Sequence, residues 1–294
     1  MKSLITSLAL AIFVFMASSC ENEASPKGYV SRALSIIDEN GLFADSEQWG
    51  NLVDSIKTLT PGNMDEAHAL ISRALSVGGG KHSFLMSQTA VQYFDTAQTI
   101  MPTVKYVDDI AVITIPMFMS SKSAAVGYVK SVTDSLRTDI RGAVIDLRGN
   151  TGGNMTPMIA ALHQFLPSDI LFRMKGRSMS TPMNAEFTLR QYGLSAARHI
   201  DCRVAILTDS LTASSGEASL ICFRGLDYTR TFGTPTAGYA SANDTYTLFD
   251  GYRMILTVGC DVARTGEVFC SDPIDPDVLT TSPLEDAIAW LSEE

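Results

Sequence analysis

Residues 142–154 read "GAVIDLRGNTGGN", and this stretch decides the fold class. A short apolar, β-branched run typical of a buried strand ends in a turn rich in glycine and asparagine. Helical patterns precede and follow it, and "RVAILTD" (203–209) followed by "GEASLICFRG" (216–225) repeats the sequence of strand and helix. Buried strands that alternate with helices predict crossover units and a largely parallel sheet. The class is therefore α/β, with late β-hairpins over 245–270 and a closing helix over 282–294.

The first part of the exported chain has a different pattern, with apolar residues at helical spacing and glycine at the ends. Three helices are predicted, over 29–41, 46–59 and 63–77. Asn63 and Glu66 have the N-cap and N3 spacing of a capping box in the third of them. "GGGKHSFLM" (78–86) follows these helices. The sequence predicts a helical N-terminal subdomain over 28–80 and a core domain over 81–294.

The chain begins with a secretory signal, in which Lys2 precedes an apolar run over 4–16. This run is too short to span a bilayer as a helix. Small residues directly before Cys20 resemble a bacterial lipoprotein cleavage box, which makes 1–19 a signal peptide and 20–27 a lipidated tether. The alternative is an ordinary signal peptide with an incidental cysteine. The lipoprotein interpretation predicts an exported protein, anchored by Cys20 in the cell envelope at its periplasmic or surface face.

Charge and cysteine usage restrict the partners of the chain. The formal charge of −10 argues against a nucleic-acid partner and against a polybasic membrane-binding patch, although simple solubility explains the charge equally well.

Besides Cys20 there are four cysteines, which permit three pairings. Cys260 and Cys270 flank a predicted hairpin and form the easiest pair, while Cys202 and Cys222 pair or remain free thiols. Because no cysteine or histidine spacing suggests zinc, we predict no metal and no cofactor.

Two strand ends carry residues that can do chemistry. The glycine-rich turn over 149–153 either aims backbone N–H groups at a reacting carbonyl oxygen or is only a turn. It lacks the Lys-Ser/Thr ending of a phosphate loop. Ser214 begins the predicted helix after "RVAILTD", where it is either a nucleophile or an N-cap whose N3 partner is Glu217. A serine nucleophile requires a base, so the choice depends on finding one.

Histidine is the better candidate for that base, since no lysine occurs from 176 to 294. His68 and His163 lie within predicted helices, and His199 has no polar cluster around it in the sequence. His82 follows a triple glycine at the edge of a strand, where an imidazole can reach another loop. A single histidine of this kind can equally be structural.

Five segments in this order resemble the tail-specific, or C-terminal processing, peptidase family, which is related to the tricorn core protease and to the retinoid-binding repeats. They are "GKHSF", "VIDLRGNTGGN", "LTDSLTASSGEASL", "RTFGTPTAGYASAN" and "PIDPDV". The resemblance implies a crotonase-like spiral α/β core. It also implies that Ser214, three residues before Glu217, is the nucleophile. The implied oxyanion donors are the amide of Ser215 and that of Gly152 or Gly153.

The departures from the family pattern concern the base and its partner. Tyr239 stands where members that use a Ser/Lys dyad carry lysine, and His82 falls on the histidine of the other branch. The resemblance therefore implies His82 as general base. An acid orients this base in that branch. Cys270 occupies the position expected for it, which leaves Asp272 and Glu267 as the available carboxylates, and of these we assign Asp272.

These observations predict a serine endopeptidase that acts on peptides or unfolded proteins. Too few residues separate "HSFLM" from "VKYVDDIAV" for a peptide-binding PDZ module. The rival hypothesis is an inactive peptide- or ligand-binding lipoprotein on the same scaffold. A hydrolase of other esters is a third alternative, although the "GxSxG" elbow of lipases is missing around Ser214.

Overall fold

A computed structural model of the chain describes residues 24–96 and 98–293. The predicted signal peptide and Cys20 lie outside the described residues. Among the helices of these two ranges, none combines the length and the apolar character that crossing a bilayer requires.

The helices and strands alternate largely as the sequence predicts. The described helices are α1 (Pro26–Asn40), α2 (Glu47–Lys57), α3 (Met64–Gly78), α4 (Gln88–Thr96), α5 (Lys122–Thr133), α6 (Met155–Ala161), α7 (Ala185–Gln191), α8 (Ser215–Ile221) and α9 (Pro283–Ser292). The described strands are β1 (Phe84–Met86), β2 (Thr103–Val107), β3 (Ile110–Thr114), β4 (Gly142–Asp146), β5 (Phe172–Gly176), β6 (Ser180–Met183), β7 (Arg203–Thr208), β8 (Thr229–Gly233), β9 (Ser241–Thr247), β10 (Arg253–Ala263), β11 (Val268–Phe269) and β12 (Val278–Leu279). A 3₁₀ turn, His163–Phe165, follows α6.

The chain divides into two compact units. The first contains the described residues up to Val91 together with Asn243–Val258. The second contains the described residues of Gln92–Ala242 and Gly259–Glu294. The first unit therefore includes β1 and a late segment that the sequence assigned to the core domain.

The three helices predicted at the start of the chain are present in the first unit, and polar caps begin each of them. The Ser25 and Ser46 hydroxyls accept the N–H groups of Gly28 and Trp49 at 3.1 and 3.2 Å. The Asn63 side-chain oxygen accepts the Glu66 N–H at 3.0 Å, as the capping spacing predicts. The Glu66 carboxylate accepts the backbone N–H of Gly62 at 2.8 Å and the side-chain NH₂ group of Asn63 at 3.2 Å.

The late segment belongs to the first unit because its apolar side chains complete the core of the helices. Leu248, Met254, Leu256 and Val258 are buried in one cluster with residues of α1, α2 and α3. In addition, β1 pairs antiparallel with the start of β10, and Phe84 stands opposite Ile255. Hydrophobic burial thus joins segments that lie more than 150 residues apart in the sequence.

The second unit is built on a sheet of order β12-β8-β7-β4-β3-β2. The pairs from β12 to β3 are parallel, and only the β2–β3 pair is antiparallel. Its central strands β4 and β7 are almost fully buried, since α5, α6, α8 and α9 contribute to the apolar clusters that cover the sheet, whereas the edge strands β2 and β12 are partly exposed. The end of β10 pairs in this unit with β5 and β11. The mixed α/β fold predicted from the sequence is confirmed.

The cysteines pair as the hairpin spacing predicts. Cys260 and Cys270 form a disulfide with 4.7 Å between their Cα atoms. Cys202 and Cys222 are free thiols, and Cys222 is buried. Burial raises the pKa of both thiols, that of Cys202 to about 11, which disfavours the reactive thiolate form.

Candidate active site

The turns that follow β4 and β7 lie against each other in the second unit. The two strands are parallel neighbours, so their carboxyl ends meet at one edge of the sheet. The Leu147 N–H donates to the Leu207 carbonyl at 3.0 Å. Beyond the strands, the Ala213 N–H donates to the Asn150 carbonyl at 2.9 Å. The glycine-rich turn and the serine turn are therefore tied together by backbone hydrogen bonds.

The two adjacent serines have different environments. Ser214 is the N-cap residue of α8 and is half-buried, with φ at +52° and ψ at −115°. A serine rarely adopts positive φ, and such strain is concentrated at functional sites. Ser215 is buried, and its hydroxyl donates to the Gly153 carbonyl at 2.5 Å. The Ser215 hydroxyl is thus engaged in the fold, whereas Ser214 stands at the surface of the turn.

Gly152 packs directly against Ser214. A β-carbon on Gly152 would lie 2.8 Å from the Ser214 Cβ and 3.2 Å from its Oγ, and the φ of Gly152 is +106°. Only glycine fits this position without displacing the serine. The Gly152 N–H donates to the Asn150 side-chain oxygen at 2.9 Å.

Gly153 differs from Gly152 in the state of its amide. Its φ is +103°, and a β-carbon would lie 2.1 Å from the Phe118 carbonyl oxygen. Across residues 24–96 and 98–293, the structure pairs the Gly153 N–H with no acceptor. The Ser215 N–H opens α8 and therefore has no acceptor within that helix.

Asn150 holds the glycine-rich turn in place through its side chain and its backbone carbonyl. It is fully buried, and its side-chain NH₂ group donates to the Ile115 carbonyl at 2.8 Å. Its side-chain oxygen holds the Gly152 N–H, and its backbone carbonyl holds Ala213. Three segments of the chain are joined through this one amide residue, which the sequence pattern marked only as a turn residue.

Glu217 holds the serine turn on its other side. This fully buried carboxylate accepts the Ser214 N–H at 2.8 Å, as the N3 position of a capping box predicts. It also accepts the Tyr239 N–H at 2.7 Å, the Gly238 N–H at 2.8 Å and the Thr236 hydroxyl at 2.5 Å. Four donors therefore compensate a buried charge that burial alone would make costly.

A second buried carboxylate, Asp261, is subject to electrostatic repulsion from Glu217. Asp261 is 3 % exposed, and among the described residues nothing donates a hydrogen bond to its Oδ1. Burial, followed by the repulsion from Glu217, raises the pKa of Asp261 to about 7. Near neutral pH this residue is therefore partly protonated, unlike an exposed aspartate.

His82 lies in the first unit, on the turn that follows α3. Asn243 donates its side-chain N–H to the His82 carbonyl at 3.2 Å and accepts the Thr257 hydroxyl at 2.8 Å. The Ser83 hydroxyl donates to the Thr257 hydroxyl at 3.1 Å. Burial, and then the charge of Lys81, lowers the pKa of His82 to about 4, so its imidazole is neutral at physiological pH.

Asp272 lies in the second unit, and its side chain is exposed. Its segment packs on the loop that binds Glu217, because a β-carbon on Gly238 would lie 2.8 Å from the Asp272 carbonyl carbon. The nearby Cys270, at the position expected for an acid, is held in the disulfide with Cys260.

The fold therefore brings Ser214, Ser215, Gly152 and Gly153 together within one unit. Sequence reasoning missed the contribution of Asn150 and most of that of Glu217; only the three-residue spacing from Ser214 signalled the latter. No group of three or more histidine, cysteine, aspartate or glutamate residues in the described part of the chain could hold a metal ion.

Comparison with known proteins identifies the family of the chain. Residues 109–280 match the profile of peptidase family S41. The chain is also 32 % identical over 280 residues to the nisin-resistance protein of Lactococcus lactis subsp. lactis, covering 92 % of this chain and 88 % of that protein. The chain belongs to peptidase family S41. The matched S41 region includes the serine turn and the glycine-rich turn, but not His82.

Solved structures agree with the S41 assignment. A lipoprotein from Streptococcus agalactiae has a TM-score of 0.82 at 32 % identity, covering 91 % of this chain and 96 % of that one. The photosystem II D1 C-terminal processing protease has a TM-score of 0.63 at 11 % identity, covering 92 % and 98 %. The second likeness shows that the S41 fold extends over nearly the whole of this chain.

Proposed function

We propose that this S41 member is an active serine endopeptidase that cleaves peptide bonds by acyl transfer through Ser214. The observation that carries the proposal is the contact between the two turns. A half-buried serine with strained backbone lies against Gly152, and the amides of Ser215 and Gly153 lie in the same two turns. Amides fixed in advance in this way can stabilise the charge that develops on a carbonyl oxygen.

The reaction consists of two acyl transfers, first from the leaving amine to Ser214 and then from Ser214 to water. The Ser214 oxygen attacks that carbon while His82 takes the hydroxyl proton. The C–N bond then breaks, the proton passes from His82 to the leaving amine, and an ester remains on Ser214. Water, deprotonated by His82, hydrolyses this ester and restores the serine. The His82 imidazole is neutral when the cycle begins, because burial and the charge of Lys81 lower its pKa to about 4.

The oxyanion donors in this proposal are the N–H groups of Ser215 and Gly153. An N–H group has one proton, and that of Gly152 is already donated to Asn150. Gly152 then contributes space beside Ser214 in place of a hydrogen bond. Asp272 is assigned to orient His82, on the strength of the family resemblance in the sequence.

We further propose that the protein is exported and anchored through a lipid on Cys20, with peptides or unfolded proteins of the cell envelope as substrates. The lipoprotein-like N-terminal sequence supports this placement, as does the likeness to a streptococcal lipoprotein. A relative named for nisin resistance makes nisin one of the probes to test. Tail-specific processing, in which the enzyme cleaves near the C-terminus of a protein, is the narrower form of this proposed activity.

A fluorophosphonate probe and a peptide-cleavage assay test the activity together. Ser214→Ala and His82→Ala should each reduce kcat/KM by about four to six orders of magnitude and abolish labelling in the serine variant. Ser210→Ala and His199→Ala, both at exposed positions, are the matched controls and should retain activity. Equal labelling of the wild type and Ser214→Ala would refute the proposal.

One observation favours the alternative, a binding protein on the same scaffold. The position expected for the orienting acid is a disulfide-bonded cysteine, and Asp272 is exposed. Peptide binding with unchanged affinity in Ser214→Ala, without cleavage by the wild type, would identify such a binder.

A further inference from the structure

A cavity lined by both polar and apolar side chains lies beside the glycine-rich turn in the second unit, at the start of α5. Its volume is about 380 Å³, within the range of small-ligand sites. Its lining residues are Phe118, Ser120, Ser121, Lys122, Ala125, Asn154, Gln191 and Tyr192. Phe118, Ala125 and the half-buried Tyr192 supply the apolar surface, and the other side chains are polar and exposed.

The cavity adjoins the proposed reaction centre through the backbone. The Phe118 N–H donates to the Gly152 carbonyl at 3.2 Å, and the Asn154 N–H donates to the Phe118 carbonyl at 2.7 Å. Gly152 in turn contacts Ser214. Two residues of chain cover at most about 7 Å, so Asn154 lies within that distance of Gly152. An extended substrate advances about 3.3 Å per residue, which brings a residue one or two positions from the scissile bond to this cavity.

Two side chains of the cavity, Asn154 and Lys122, offer hydrogen-bond donors to a ligand. The Asn154 side-chain oxygen already accepts the N–H of Thr156 at 3.0 Å and its hydroxyl at 2.8 Å, which leaves the Asn154 NH₂ group as a donor. Because the Thr156 proton is used there, the Tyr192 hydroxyl donates its own proton to Thr156 and presents only an acceptor oxygen to a ligand. Lys122 can only donate. The Asn154 NH₂ group and the Lys122 ammonium together match a negatively charged acceptor.

Charge points to the same kind of ligand. Lys122 is the single charged side chain among the described residues that line the cavity. Throughout the described part of the chain, no carboxylate lies within ion-pair distance of it. In a chain of net charge −10, a lysine without an acidic partner beside the reaction centre is available to a substrate.

We propose that this cavity is a specificity subsite that takes a carboxylate of the substrate, with Lys122 as its counter-charge. The proposal rests on the function proposed above and deepens it, because it selects peptides with a negative charge within one or two residues of the scissile bond. That charge comes either from an aspartate or glutamate side chain or from the C-terminal carboxylate of a short tail.

The subsite is tested with defined peptides in 0.15 M salt, where long-range repulsion by the acidic protein is screened. Side-chain selectivity is measured with pairs of C-terminally amidated peptides. The two peptides of a pair differ by glutamate or glutamine at one position near the mapped cleavage site. The glutamine peptides with a free C-terminus measure tail selectivity. The wild type should prefer one carboxylate source by up to about five-fold in kcat/KM, the scale of one exposed ion pair.

The variants assign that preference to Lys122. Lys122→Glu should abolish or invert it and Lys122→Arg should keep it, while Lys130→Glu, on the same helix but outside the lining, should leave it unchanged. Lys122 and Lys130 are both exposed, so unchanged thermal unfolding serves as the folding control for the three variants. Affinities of the same peptides for Ser214→Ala, with and without Lys122→Glu, provide a readout that does not need turnover.

The outcomes separate the two proposals. Cleavage that depends on Ser214, with equal charge preference in the wild type and Lys122→Glu, overturns the subsite and leaves the peptidase intact. Absence of cleavage that depends on Ser214 overturns the peptidase. In that case a binding preference for carboxylates that is lost in Lys122→Glu would still support the cavity as a site, and equal affinities would reject it.

Discussion

The Glu217 carboxylate accepts the backbone N–H of Ser214 at 2.8 Å and thereby fixes the serine in its unusual conformation. The same carboxylate binds the loop that contains Gly238 and Tyr239. The geometry of Ser214 is thus set by a buried charge three residues away and by donors more than twenty residues further along the chain.

Glu217→Gln should damage both stability and activity. The amide NH₂ group of glutamine would face backbone N–H donors and leave two of them without an acceptor, at a cost of roughly 2–4 kcal/mol in the free energy of unfolding. Urea unfolding measures the loss, and fluorophosphonate labelling of Ser214 should slow strongly. Glu285→Gln, at an exposed position of α9, is the control. A fully stable and active Glu217→Gln variant would contradict the assigned hydrogen bonds.

Gly152→Ala should impair activity more than its neighbour Gly149→Ala. Both glycines have positive φ, so alanine adds strain of about 1–3 kcal/mol at either position. Only at Gly152 does the new methyl group meet Ser214, since a β-carbon on Gly149 would lie in open space. We expect kcat/KM to fall at least 100-fold for Gly152→Ala beyond the effect of Gly149→Ala. Equal activities of the two variants would show that Ser214 does not need the space that Gly152 leaves beside it.

The pH dependence of kcat/KM should report the low pKa of His82. If His82 is the base, the acid limb should fall near pH 4 in place of the 6.5 of an ordinary histidine, because burial and Lys81 disfavour the charged imidazole. Lys81→Met should move the limb to higher pH, and Lys57→Met should not, since Lys57 does not act on this imidazole. An acid limb near 6.5 in the wild type would refute the assignment.

Asp261→Asn should stabilise the protein in a way that depends on pH. Because the folded-state pKa of Asp261 is raised to about 7 from 3.8, the native state binds more protons than the unfolded state between these values. Wild-type stability is therefore lost as pH rises from about 4 to 7, by on the order of a few kcal/mol. The Tm advantage of Asp261→Asn should grow over this window and level off above it. Asp139→Asn, whose side chain is 84 % exposed, should show no such trend, and a constant difference would refute the raised pKa.

Removal of the Cys260–Cys270 disulfide should destabilise the second unit. The bond closes a loop of sequence separation 10, which corresponds to about 2–3 kcal/mol in the chain-entropy treatment. Urea unfolding of Cys260→Ser/Cys270→Ser should show this loss, and a reducing agent should reproduce it in the wild type but have no effect on the double variant. Cys202→Ser, which removes a free thiol, should keep the response to the reducing agent.

The sequence was sufficient for the features that depend on local pattern. Strand and helix alternation predicts the parallel sheet, the cap spacing places Glu217 at the N3 position of α8, and the hairpin spacing pairs Cys260 with Cys270. The individual strands and helices, the cap and the hairpin each depend on residues within about ten positions of one another, where periodicity and turn chemistry are informative.

The remaining features depend on tertiary contacts that no local pattern encodes. The donors at 236–239 reach Glu217 only when the loop after β8 folds over α8. The Gly152 amide resembles that of Gly153 in the sequence, but a hydrogen bond to Asn150 distinguishes the two. Likewise, the raised pKa of Asp261 requires the fold to bury two carboxylates near each other.

The place of residues 243–258 in the first unit has a consequence for how the protein is made and cut. The helices over 26–78 acquire Leu248, Met254, Leu256 and Val258 as core partners only after most of the chain has emerged from the ribosome. A fragment that stops before residue 243 would therefore expose apolar helix faces, and a fragment that begins after them would expose the four late side chains. A truncated form that keeps the first unit folded must therefore retain both the helices over 26–78 and residues 243–258.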